Sequence, residues 1–509
     1  MLTIHPYLSL SSFKEILVSE EPITFSDTIP DKVEESFQFL KAFAIDKVIY
    51  GVNTGFGPMA QYKIPEKDLN ALQYNLIRSH CTGMGTPLEP LHIKAAVLAR
   101  IQSLSQGYSG VHISVLYLMK EFINRNMLPV IYQHGGVGAS GDLVQLAHLA
   151  LTLIGEGEVL YQGKVRPTQE VFAEEGLRPV EIHLREGLAL MNGTSVMSGI
   201  GIVNSMEAGR LLELSIAASC AINEIVAAYD DHFSQELNAA KLHPAQQDVA
   251  EMMRRHLSDS RRIRKRDDHL YKTQEEEVFK DKVQEYYSVR CVPQILGPVL
   301  ETIRGVERTL EQEINSANDN PIVDVNHQQV FHGGNFHGDF ISLEMDKLKL
   351  VVTKLTILAE RQLNYLLNHK INDVLPPFVN RGRPGLNFGM QGAQFTATST
   401  TAESQTLSQS MYIHSIPNNN DNQDVVSMGT NAALLTSRVI DNAFDVLTIE
   451  WITIIQAVDI LAIQDKISSR TLAYYHSIRQ RIPESVEDVA LFPYLKAIKE
   501  LFKNLRFQP

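Results

Sequence analysis

Three long stretches of the chain combine helical periodicity with a high apolar content. In Met345–Leu367, apolar residues recur at spacings of three and four, which places them on one face of an amphipathic helix. The stretches Val196–Val226 and Thr430–Ile463 carry wider apolar stripes, so we expect helices that are buried on several sides. Long helices of this kind favour a bundle, packed within the chain or between subunits.

Strand patterns are few and lie in the first part of the chain. They cover Lys47–Val52, Val159–Gln162 and Val180–Leu184. Helical patterns dominate the remainder, with a break near residue 200. We therefore predict a mainly α fold with two domains, an N-terminal α/β part of residues 1–200 and a central bundle of long helices of residues 201–509.

The composition excludes several classes of protein. Apolar residues make up 44% and charged residues 21% of the 509 residues, which rules out a disordered or collagen-like chain. The formal net charge of −13 argues against nucleic acid or an anionic membrane as the main partner. The basic run Arg261–Arg266 favours nucleic acid, but Asp267 and Asp268 follow it at once. Mixed signs are typical of a solvated surface with internal ion pairs, so we expect no nucleic-acid partner.

Cysteine content and hydropathy indicate in which cellular compartment the protein lies. The three cysteines, Cys81, Cys220 and Cys291, are too few and too widely spaced for a disulfide scaffold or a zinc ribbon. The first residues lack the basic and apolar regions of a secretory signal. The apolar stretch Val446–Ile463 is interrupted by carboxylates, including Glu450, and predicts a buried core helix rather than a membrane span. We expect a cytoplasmic protein without membrane contact.

The glycine-rich segment Gly135–Asp142 permits two interpretations. Gly136, Gly138 and Gly141 spell GxGxxG between an apolar run and a helical pattern, which is the dinucleotide-binding fingerprint. A nucleotide- or nucleic-acid-binding protein is therefore one hypothesis. It is weak, because such a domain needs alternating strands and helices, whereas helix follows helix after residue 185.

The second interpretation concerns Ala139, Ser140 and Gly141. Small residues around a serine let the backbone fold tightly, so that the amide nitrogen of Gly141 can reach the carbonyl carbon of Ala139. Loss of two water molecules then leaves a five-membered ring with an exposed methylidene, 4-methylidene-imidazol-5-one (MIO), which is an electrophile. The simpler alternative is a helix start with Asp142 as its N-cap. The two are compatible, because the positive end of a helix would stabilise charge that develops on the ring oxygen.

Gly138–Leu143 resembles the signature of the aromatic amino-acid ammonia-lyase family, which comprises histidine, phenylalanine and tyrosine ammonia-lyases and related aminomutases. Further blocks resemble the family in the same order and extend the likeness from residue 50 to residue 424. These blocks are Tyr50–Gly57, Asn192–Thr194, Gln284 with Tyr287–Cys291, Gly333–His337 and Asn422–Asp424. One block departs from the pattern, because histidine ammonia-lyases usually carry Asp-Pro-Tyr-Ser where this chain has Glu285-Tyr286-Tyr287-Ser288. The missing proline predicts a less rigid loop.

The resemblance implies a fold, a prosthetic group and an assembly. The N-terminal part would carry an MIO ring that forms autocatalytically from Ala139, Ser140 and Gly141, and no external cofactor or metal would be needed. None of the 17 histidines stands in a metal-binding spacing such as HExxH. The family further implies a homotetramer whose active sites are each assembled from three subunits.

The resemblance also assigns roles. Tyr50 would be the base that removes the β-proton of the substrate, and Asn192 would donate a hydrogen bond to the ring. Arg290 would bind the substrate carboxylate with its planar fork of N–H groups. Tyr287 would hold or protonate the amine. Gln284, Asn335, Phe336 and Gln423 would complete the pocket.

Signals for the substrate conflict. Over its length the chain most resembles bacterial tyrosine ammonia-lyases, which implies conversion of L-tyrosine to trans-4-coumarate and ammonia. Locally, Ser79 and His80 stand where tyrosine enzymes carry His-Leu and histidine enzymes carry Ser-His, and Glu403 resembles the carboxylate that histidine enzymes direct at the imidazole. A histidine ammonia-lyase that forms urocanate is therefore the alternative, followed by an MIO-dependent 2,3-aminomutase. We rank tyrosine first, because similarity over the whole chain samples more pocket residues than this local pattern does.

Overall fold

The computed structural model describes residues 1–272, 277–279 and 281–504 and is mainly α-helical. The helices are α1 (Leu10–Val18), α2 (Thr28–Phe43), α3 (Leu69–His80), α4 (Pro90–Leu104), α5 (Ser114–Asn124), α6 (Leu143–Leu153), α7 (Thr168–Glu175), α8 (Glu186–Met191), α9 (Ser195–Ile225), α10 (Gln235–Ala239), α11 (Pro244–His256), α12 (Arg266–His269), α13 (Tyr287–Arg290), α14 (Val292–Ile314), α15 (Asp339–Leu367), α16 (His369–Asn372), α17 (Gln391–Leu407), α18 (Gly429–Leu461), α19 (Ser469–Arg479) and α20 (Phe492–Asn504). Helices α9, α15 and α18 confirm the three long helices that the apolar patterns predicted.

The strands form four small sheets. They are β1 (Leu2–Ile4), β2 (Ile23–Phe25), β3 (Met84–Pro87), β4 (Leu128–Pro129), β5 (Tyr132–His134), β6 (Glu158–Tyr161), β7 (Lys164–Pro167), β8 (Ile322–Asp324) and β9 (Gln329–Phe331). Strands β4, β6 and β7 make an antiparallel sheet, β3 pairs with β5 and β8 with β9 in antiparallel fashion, and β1 pairs with β2 in parallel. Among these strands of the described chain only β1 and β2 run parallel, so the sheets do not supply the alternating parallel architecture that a dinucleotide-binding domain needs.

The chain divides into two compact units. The first comprises Met1–Ser205, Gly305–Asp346 and Ser410–Ser437, and the second comprises Met206–Arg304, Lys347–Gln409 and Arg438–Pro509, of which residues 273–276, 280 and 505–509 lie outside the described part. All the described strands belong to the first unit. The division differs from contiguous domains 1–200 and 201–509, because two later segments of chain join the first unit.

In the first unit, three helices pack against one another and place the site described below. Helices α3, α6 and α8 make mutual contacts. Helix α4 is buried along most of its length, and Gly199 of α9 lets the two backbones approach, since a Cβ at Gly199 would lie 2.5 Å from the nitrogen of Ala96. Because the helices are packed this closely, the positions of their ends are fixed.

The second unit has an aromatic core on helix α18. Trp451 is fully buried, stacks on Tyr474 with ring centroids 4.6 Å apart, and donates from its indole nitrogen to the carbonyl of Leu214 at 3.3 Å. Stacked aromatic rings bury large apolar areas, and the hydrogen bond satisfies the indole N–H.

Two predicted strands are wrong. The residues of Lys47–Val52 form a turn, because Gly51 adopts a φ of +75° and the side chain of Asn53 accepts from the amide of Ile49 at 2.9 Å and donates to the carbonyl of Lys47 at 2.7 Å. Val180–Leu184 is irregular although its apolar side chains are buried, since the amide of Val180 donates to Leu153 at the end of α6 instead of to a strand. The strand predicted at Val159–Gln162 is confirmed as β6.

The basic run Arg261–Arg266 lies in the second unit and is largely engaged within it. Arg264 pairs with Asp281 at 2.9 Å, and Arg266 pairs with Asp231. The paired surface that mixed charges predicted is therefore present, although the acidic partners come from other segments than Asp267 and Asp268. In the described chain, no helix is both long enough and apolar enough to cross a membrane.

Glu450 generates a prediction about stability. This residue of α18 is fully buried, neither of its carboxyl oxygens has a hydrogen-bond partner among the described residues, and burial raises its pKa well above the usual 4.5. The folded chain therefore binds the proton more tightly than the unfolded chain, and the free energy of unfolding falls as the pH rises above about 4.5. We expect Glu450→Gln to be more stable than the parent at pH 8 by about 1 kcal/mol or more, and nearly equal to it at pH 5.

Urea unfolding at the two pH values measures this difference. Glu35→Gln, which changes an exposed carboxylate on α2, is the matched control and should show no such pH-dependent gain. Equal stability of Glu450→Gln and the parent at pH 8 would contradict the prediction.

Candidate active site

The first unit contains a cavity of about 720 Å³ around the glycine-rich segment. Helix α3, the turn that carries Tyr50, the segment 139–143, and the loop 419–425 contribute its walls. The lining residues are Tyr50, Phe56, Gly57, Met59, Ala60, Leu72, Asn75, Leu76, Ser79, His80, Ala139, Ser140, Leu143, Leu188, Asn192, Asn320, Phe336, His337, Asn419, Asn422, Gln423, Asp424 and Val425.

The segment Ala139–Gly141 is held against the loop that follows α8. The amide of Asp142 donates to the carbonyl of Gly193 at 2.7 Å. Gly141 has a φ of +68°, and a Cβ there would lie only 1.9 Å from the carbonyl oxygen of Gly193. Only glycine fits this approach, so the third residue of the Ala-Ser-Gly triplet is required by the backbone geometry itself.

Two side chains that the sequence singled out contact Ser140. The side-chain amide of Asn192 donates to the carbonyl oxygen of Ser140 at 2.9 Å. The side-chain amide of Gln423 donates to the hydroxyl of Ser140 at 2.8 Å. Asn192 is buried and Ser140 is half-buried at the cavity wall. The serine carbonyl and the serine hydroxyl thus each face a fixed donor.

These residues fit the MIO group. The ring would consist of the carbonyl carbon of Ala139, three backbone atoms of Ser140 and the nitrogen of Gly141, so the ring oxygen would be the carbonyl oxygen of Ser140 that Asn192 already contacts. Within the described chain, the amide of Gly141 donates no hydrogen bond and the carbonyl of Ala139 accepts none. Both reacting groups are therefore free of competing partners.

Asp142 occupies the N-cap position of α6, but its side chain caps a different helix. One carboxylate oxygen accepts from the amides of Val196 and Met197, at 2.8 and 2.9 Å, in the first turn of α9, and the other accepts from the hydroxyl of Thr430. The helix start with Asp142 as its N-cap residue is therefore present, but the side chain of Asp142 makes no capping hydrogen bond to α6. Burial raises the pKa of Asp142 to about 6, and these hydrogen bonds oppose the rise.

Tyr50 lies in the turn 50–53 and lines the cavity. Its phenol oxygen accepts from the amide of Gly57 at 3.1 Å, and its ring meets Phe56 edge-on with centroids 6.2 Å apart. An N–H donor on a phenol oxygen stabilises the negative charge that appears when the phenol loses its proton. The glycine loop 51–57 therefore supplies a charge-stabilising contact to this tyrosine.

His80, the last residue of α3, has a defined tautomer. Its Nδ1 lies 2.9 Å from the carbonyl oxygen of Leu76, one turn earlier, and a carbonyl can only accept. The neutral imidazole therefore carries its proton on Nδ1 and keeps Nε2 as an acceptor. Ser79 lines the cavity beside it.

In the glycine-rich loop before α15, the residues that line the cavity differ in part from those that the sequence predicted. Phe336 lines the cavity as predicted, together with His337. The side chain of Asn335 is exposed and donates to the carbonyl of Ala317 at 3.3 Å, outside the lining. Asn320 lines the cavity instead, and its side-chain oxygen accepts from the amide of Gly333 at 2.8 Å. Sequence reasoning missed Asn320, whose only signal is the polar run Asn318–Asn320.

Gln284, Tyr287 and Arg290 belong to the second unit. The guanidinium of Arg290 lies 4.7 Å from the ring centre of Tyr287 and donates to the side chain of Gln284. Gln284 and Tyr287 line a more open cavity of about 620 Å³ together with Tyr365. The Nε of Arg290 is buried without a hydrogen-bond partner in the described chain, whereas the residue as a whole is half-buried.

Tyr286, which replaces the family proline, precedes α13 with a φ of −61°. This angle lies in the range that proline imposes, so a proline would fit the φ of this position. Tyr286 gives the unfolded loop more conformational freedom than a proline would.

Glu403, on α17 of the second unit, already has partners. Its carboxylate accepts from the amide of Asn442 at 2.7 Å and pairs with Arg438 at 3.1 Å. Glu403, Arg290, Tyr287 and Gln284 are not among the residues that line the cavity of the first unit. The cavity brings together Tyr50, His80, Ala139, Ser140, Asn192, Phe336 and Gln423.

Comparison with known proteins identifies the family. The model for the aromatic amino acid lyase family matches residues 8–480. The chain is 42% identical over 419 residues to tyrosine 2,3-aminomutase of Myxococcus fulvus, which covers 80% of this chain and 79% of the relative. It is 38% identical over 495 residues to histidine ammonia-lyase of Myxococcus xanthus (strain DK1622), with 97% and 95% covered.

Solved structures agree in fold. Tyrosine aminomutase from Streptomyces globisporus superposes with a TM-score of 0.93 at 32% identity, covering 98% of this chain and 97% of that one. Pantoea agglomerans phenylalanine aminomutase gives 0.95 at 32% identity, with 99% of each chain covered. The resemblance drawn from the motifs is thereby confirmed, and the chain belongs to the aromatic amino acid lyase family of ammonia-lyases and aminomutases.

Proposed function

We propose that the protein removes ammonia from L-tyrosine to give trans-4-coumarate, using an MIO group that forms from its own Ala139, Ser140 and Gly141. The observation that carries the proposal is the pair of donors on Ser140, one from Asn192 and one from Gln423. They face a cavity that also holds an acceptor at His80 and the phenol of Tyr50.

Formation of the group balances within the triplet. The nitrogen of Gly141 bonds to the carbonyl carbon of Ala139, and the oxygen of Ala139 leaves as water with the amide protons of Gly141 and Ser140. The hydroxyl of Ser140 then leaves as a second water with the proton from its Cα. Loss of the Cα proton builds negative charge on the carbonyl oxygen of Ser140, where the amide of Asn192 donates at 2.9 Å. A fixed donor at the site of developing charge lowers the barrier to this step.

The MIO group supplies an electrophile that engages the substrate and makes loss of ammonia possible. Tyr50 then has the task of taking the β-proton. The amide of Gly57 stabilises its phenolate, and the turn held by Asn53 fixes its position. Arg290 binds the substrate carboxylate with its planar fork of N–H groups, and Tyr287 lies against it to hold the amine.

We also propose, as the family resemblance implies, that active sites are completed between subunits of a homotetramer. Assembly would remove exposed large apolar side chains from water. Examples are Phe340, Phe388, Phe395 and Ile416.

Two observations favour tyrosine over histidine, and a third favours tyrosine over phenylalanine. The Nε2 of His80 is an acceptor, which suits the hydroxyl of a phenol and leaves phenylalanine without a matching donor. An imidazole N–H would suit it too, but the carboxylate that would pair with an imidazolium, Glu403, is already engaged by Arg438 and Asn442. The 42% identity to a tyrosine 2,3-aminomutase points to the same amino acid.

A 2,3-aminomutase is the second candidate, favoured by the same relative. In that case the ammonia that leaves the α-carbon returns to the β-carbon, and the product is a β-amino acid. Product analysis separates the two, because the lyase accumulates the conjugated acid and free ammonia whereas the mutase retains the nitrogen.

The test combines a substrate panel with an intact mass. Tyrosine, histidine and phenylalanine are each incubated with the protein, and the products are separated and identified. We expect coumarate from tyrosine, and a protein mass lower than the sequence mass by two water molecules. Ser140→Ala is the control, which should keep the fold, lack the mass loss and form no product. A parent protein of full sequence mass that still deaminates tyrosine would contradict the proposal.

Tyr50→Phe should lower kcat for tyrosine by about 100-fold or more, since proton transfer by a positioned base contributes about 10²–10⁴. The ring still packs against Phe56 but has no oxygen to take the proton. Steady-state kinetics with a thermal melt measure the effect. A near-normal kcat with a lowered Tm would show instead that Tyr50 is structural.

His80→Phe should shift kcat/KM from tyrosine towards phenylalanine, because the hydroxyl of tyrosine loses its acceptor. The expected change in the ratio of the two kcat/KM values is about 10-fold or more. Glu403→Gln is the matched control, and it should leave this ratio unchanged if Glu403 serves only its ion pair. Rapid urocanate formation from histidine by the parent, with tyrosine inert, would overturn the choice of substrate.

A further inference from the structure

A fully buried arginine lies directly behind the Asn192 loop. Arg100, on α4, has no exposed surface. Its Nη2 donates to the carbonyl of Asn192 at 2.9 Å and to the carbonyl of Ala189 in the last turn of α8. Its Nη1 donates to the side chain of Asn318 at 3.2 Å. The backbone of the residue that contacts Ser140 is thus held from behind by one side chain.

The segment Asn192-Gly193-Thr194 packs closely against the guanidinium group of Arg100. A Cβ at Gly193 would lie 2.3 Å from Nη1 of Arg100, so a side chain there would displace the arginine. The amide of Asn318 donates to the hydroxyl of Thr194 at 2.9 Å, which ties the other side of the loop to the same cluster. The loop is therefore fixed on both sides of Gly193.

This arrangement has a cost in stability. A buried cation pays a large desolvation penalty, and the Nε of Arg100 has no hydrogen-bond partner among the described residues. Burial lowers the pKa of Arg100 to about 10, with the nearby carboxylates of Asp319 and Asp142 acting in the opposite sense, so the side chain stays charged at neutral pH. An apolar side chain of similar size would avoid this penalty, but it would leave the carbonyls of Asn192 and Ala189 without their donor.

We propose that Arg100 is a positioning residue for MIO formation, which it promotes by holding Asn192 so that its amide stays on the carbonyl oxygen of Ser140. This inference rests on the proposed function. In the second dehydration, the Cα proton and hydroxyl of Ser140 leave as water while negative charge grows on that oxygen. The fixed amide of Asn192 stabilises the charge, and the cation of Arg100 on the same backbone keeps the amide in place.

The experiment follows ring formation rather than activity. Parent protein, Arg100→Met and Arg100→Lys are produced in full length, and their intact masses and ultraviolet difference spectra are recorded at intervals after synthesis. Arg100→Met should lose its two waters about 100-fold more slowly than the parent, as expected for a displaced reacting group. Arg100→Lys keeps the charge but not the fork of donors, so it should fall between the two.

Arg185→Met is the matched control. Arg185 is equally buried in the first unit, donates to the carbonyls of Ser109, Asn320 and Pro321 and pairs with Asp319 at 3.2 Å, and none of its hydrogen bonds goes to the Asn192 loop. It should lose a comparable amount of thermal stability and still form the ring at the parental rate. Circular dichroism and thermal melts identify the folded fraction of each variant.

Each outcome decides the question. Folded Arg100→Met with the full loss of two waters at the parental rate overturns the inference, and so does an equal delay in Arg185→Met. If Arg100→Met does not fold, then Arg100→Lys decides, and a parental rate with an unchanged spectrum overturns the inference. A parent protein that never loses two waters overturns the proposed function itself. A parent protein that loses two waters, together with an Arg100 variant that loses them at the same rate, overturns only the inference about Arg100.

Discussion

The contact between the carbonyl of Gly193 and the amide of Asp142, at 2.7 Å, is the constraint on which the site depends. Two backbones meet there with no space for a side chain, since a Cβ at Gly141 would lie 1.9 Å from the same carbonyl oxygen. This close approach brings the side-chain amide of Asn192 to the carbonyl oxygen of Ser140. It also places the N-terminal ends of α6 and α9 next to each other. Asp142 then secures the arrangement by capping α9 instead of its own helix.

The long helices were predictable because their information is local. Apolar residues at spacings of three and four define a buried face whatever that face meets, and α15 starts only slightly before the predicted range, at Asp339, whose charge suits a helix N-terminus. The turn at Tyr50 was not predictable from composition. Lys47–Val52 has the residues of a strand, and only the side chain of Asn53, which closes the turn on both sides, decides otherwise.

The candidate site likewise contains residues that the sequence could predict and residues that it could not. Asn192 and Gln423 were identified from short polar motifs, and both contact Ser140. Asn335 came from an equally suggestive motif, yet its side chain turns to Ala317, while Asn320 takes a place in the cavity wall. Which of two loop asparagines faces a cavity depends on contacts with distant segments, and no periodic pattern records them.

The buried charges of the first unit follow from the need for loops at the reacting centre. Loops present backbone N–H and C=O groups that neither a helix nor a sheet satisfies, and inside a protein each of them needs a partner. Charged side chains supply these partners here: Arg100 for the carbonyls before Gly193, Arg185 for those around Asn320, Asp142 for the first amides of α9, and Glu186 for the amides of His112 and His183 at 2.6 Å each. The cost of burying them is set against the greater cost of orphaned backbone groups. A helical scaffold can therefore carry irregular backbone and keep it in one conformation, which the proposed chemistry of Ser140 requires.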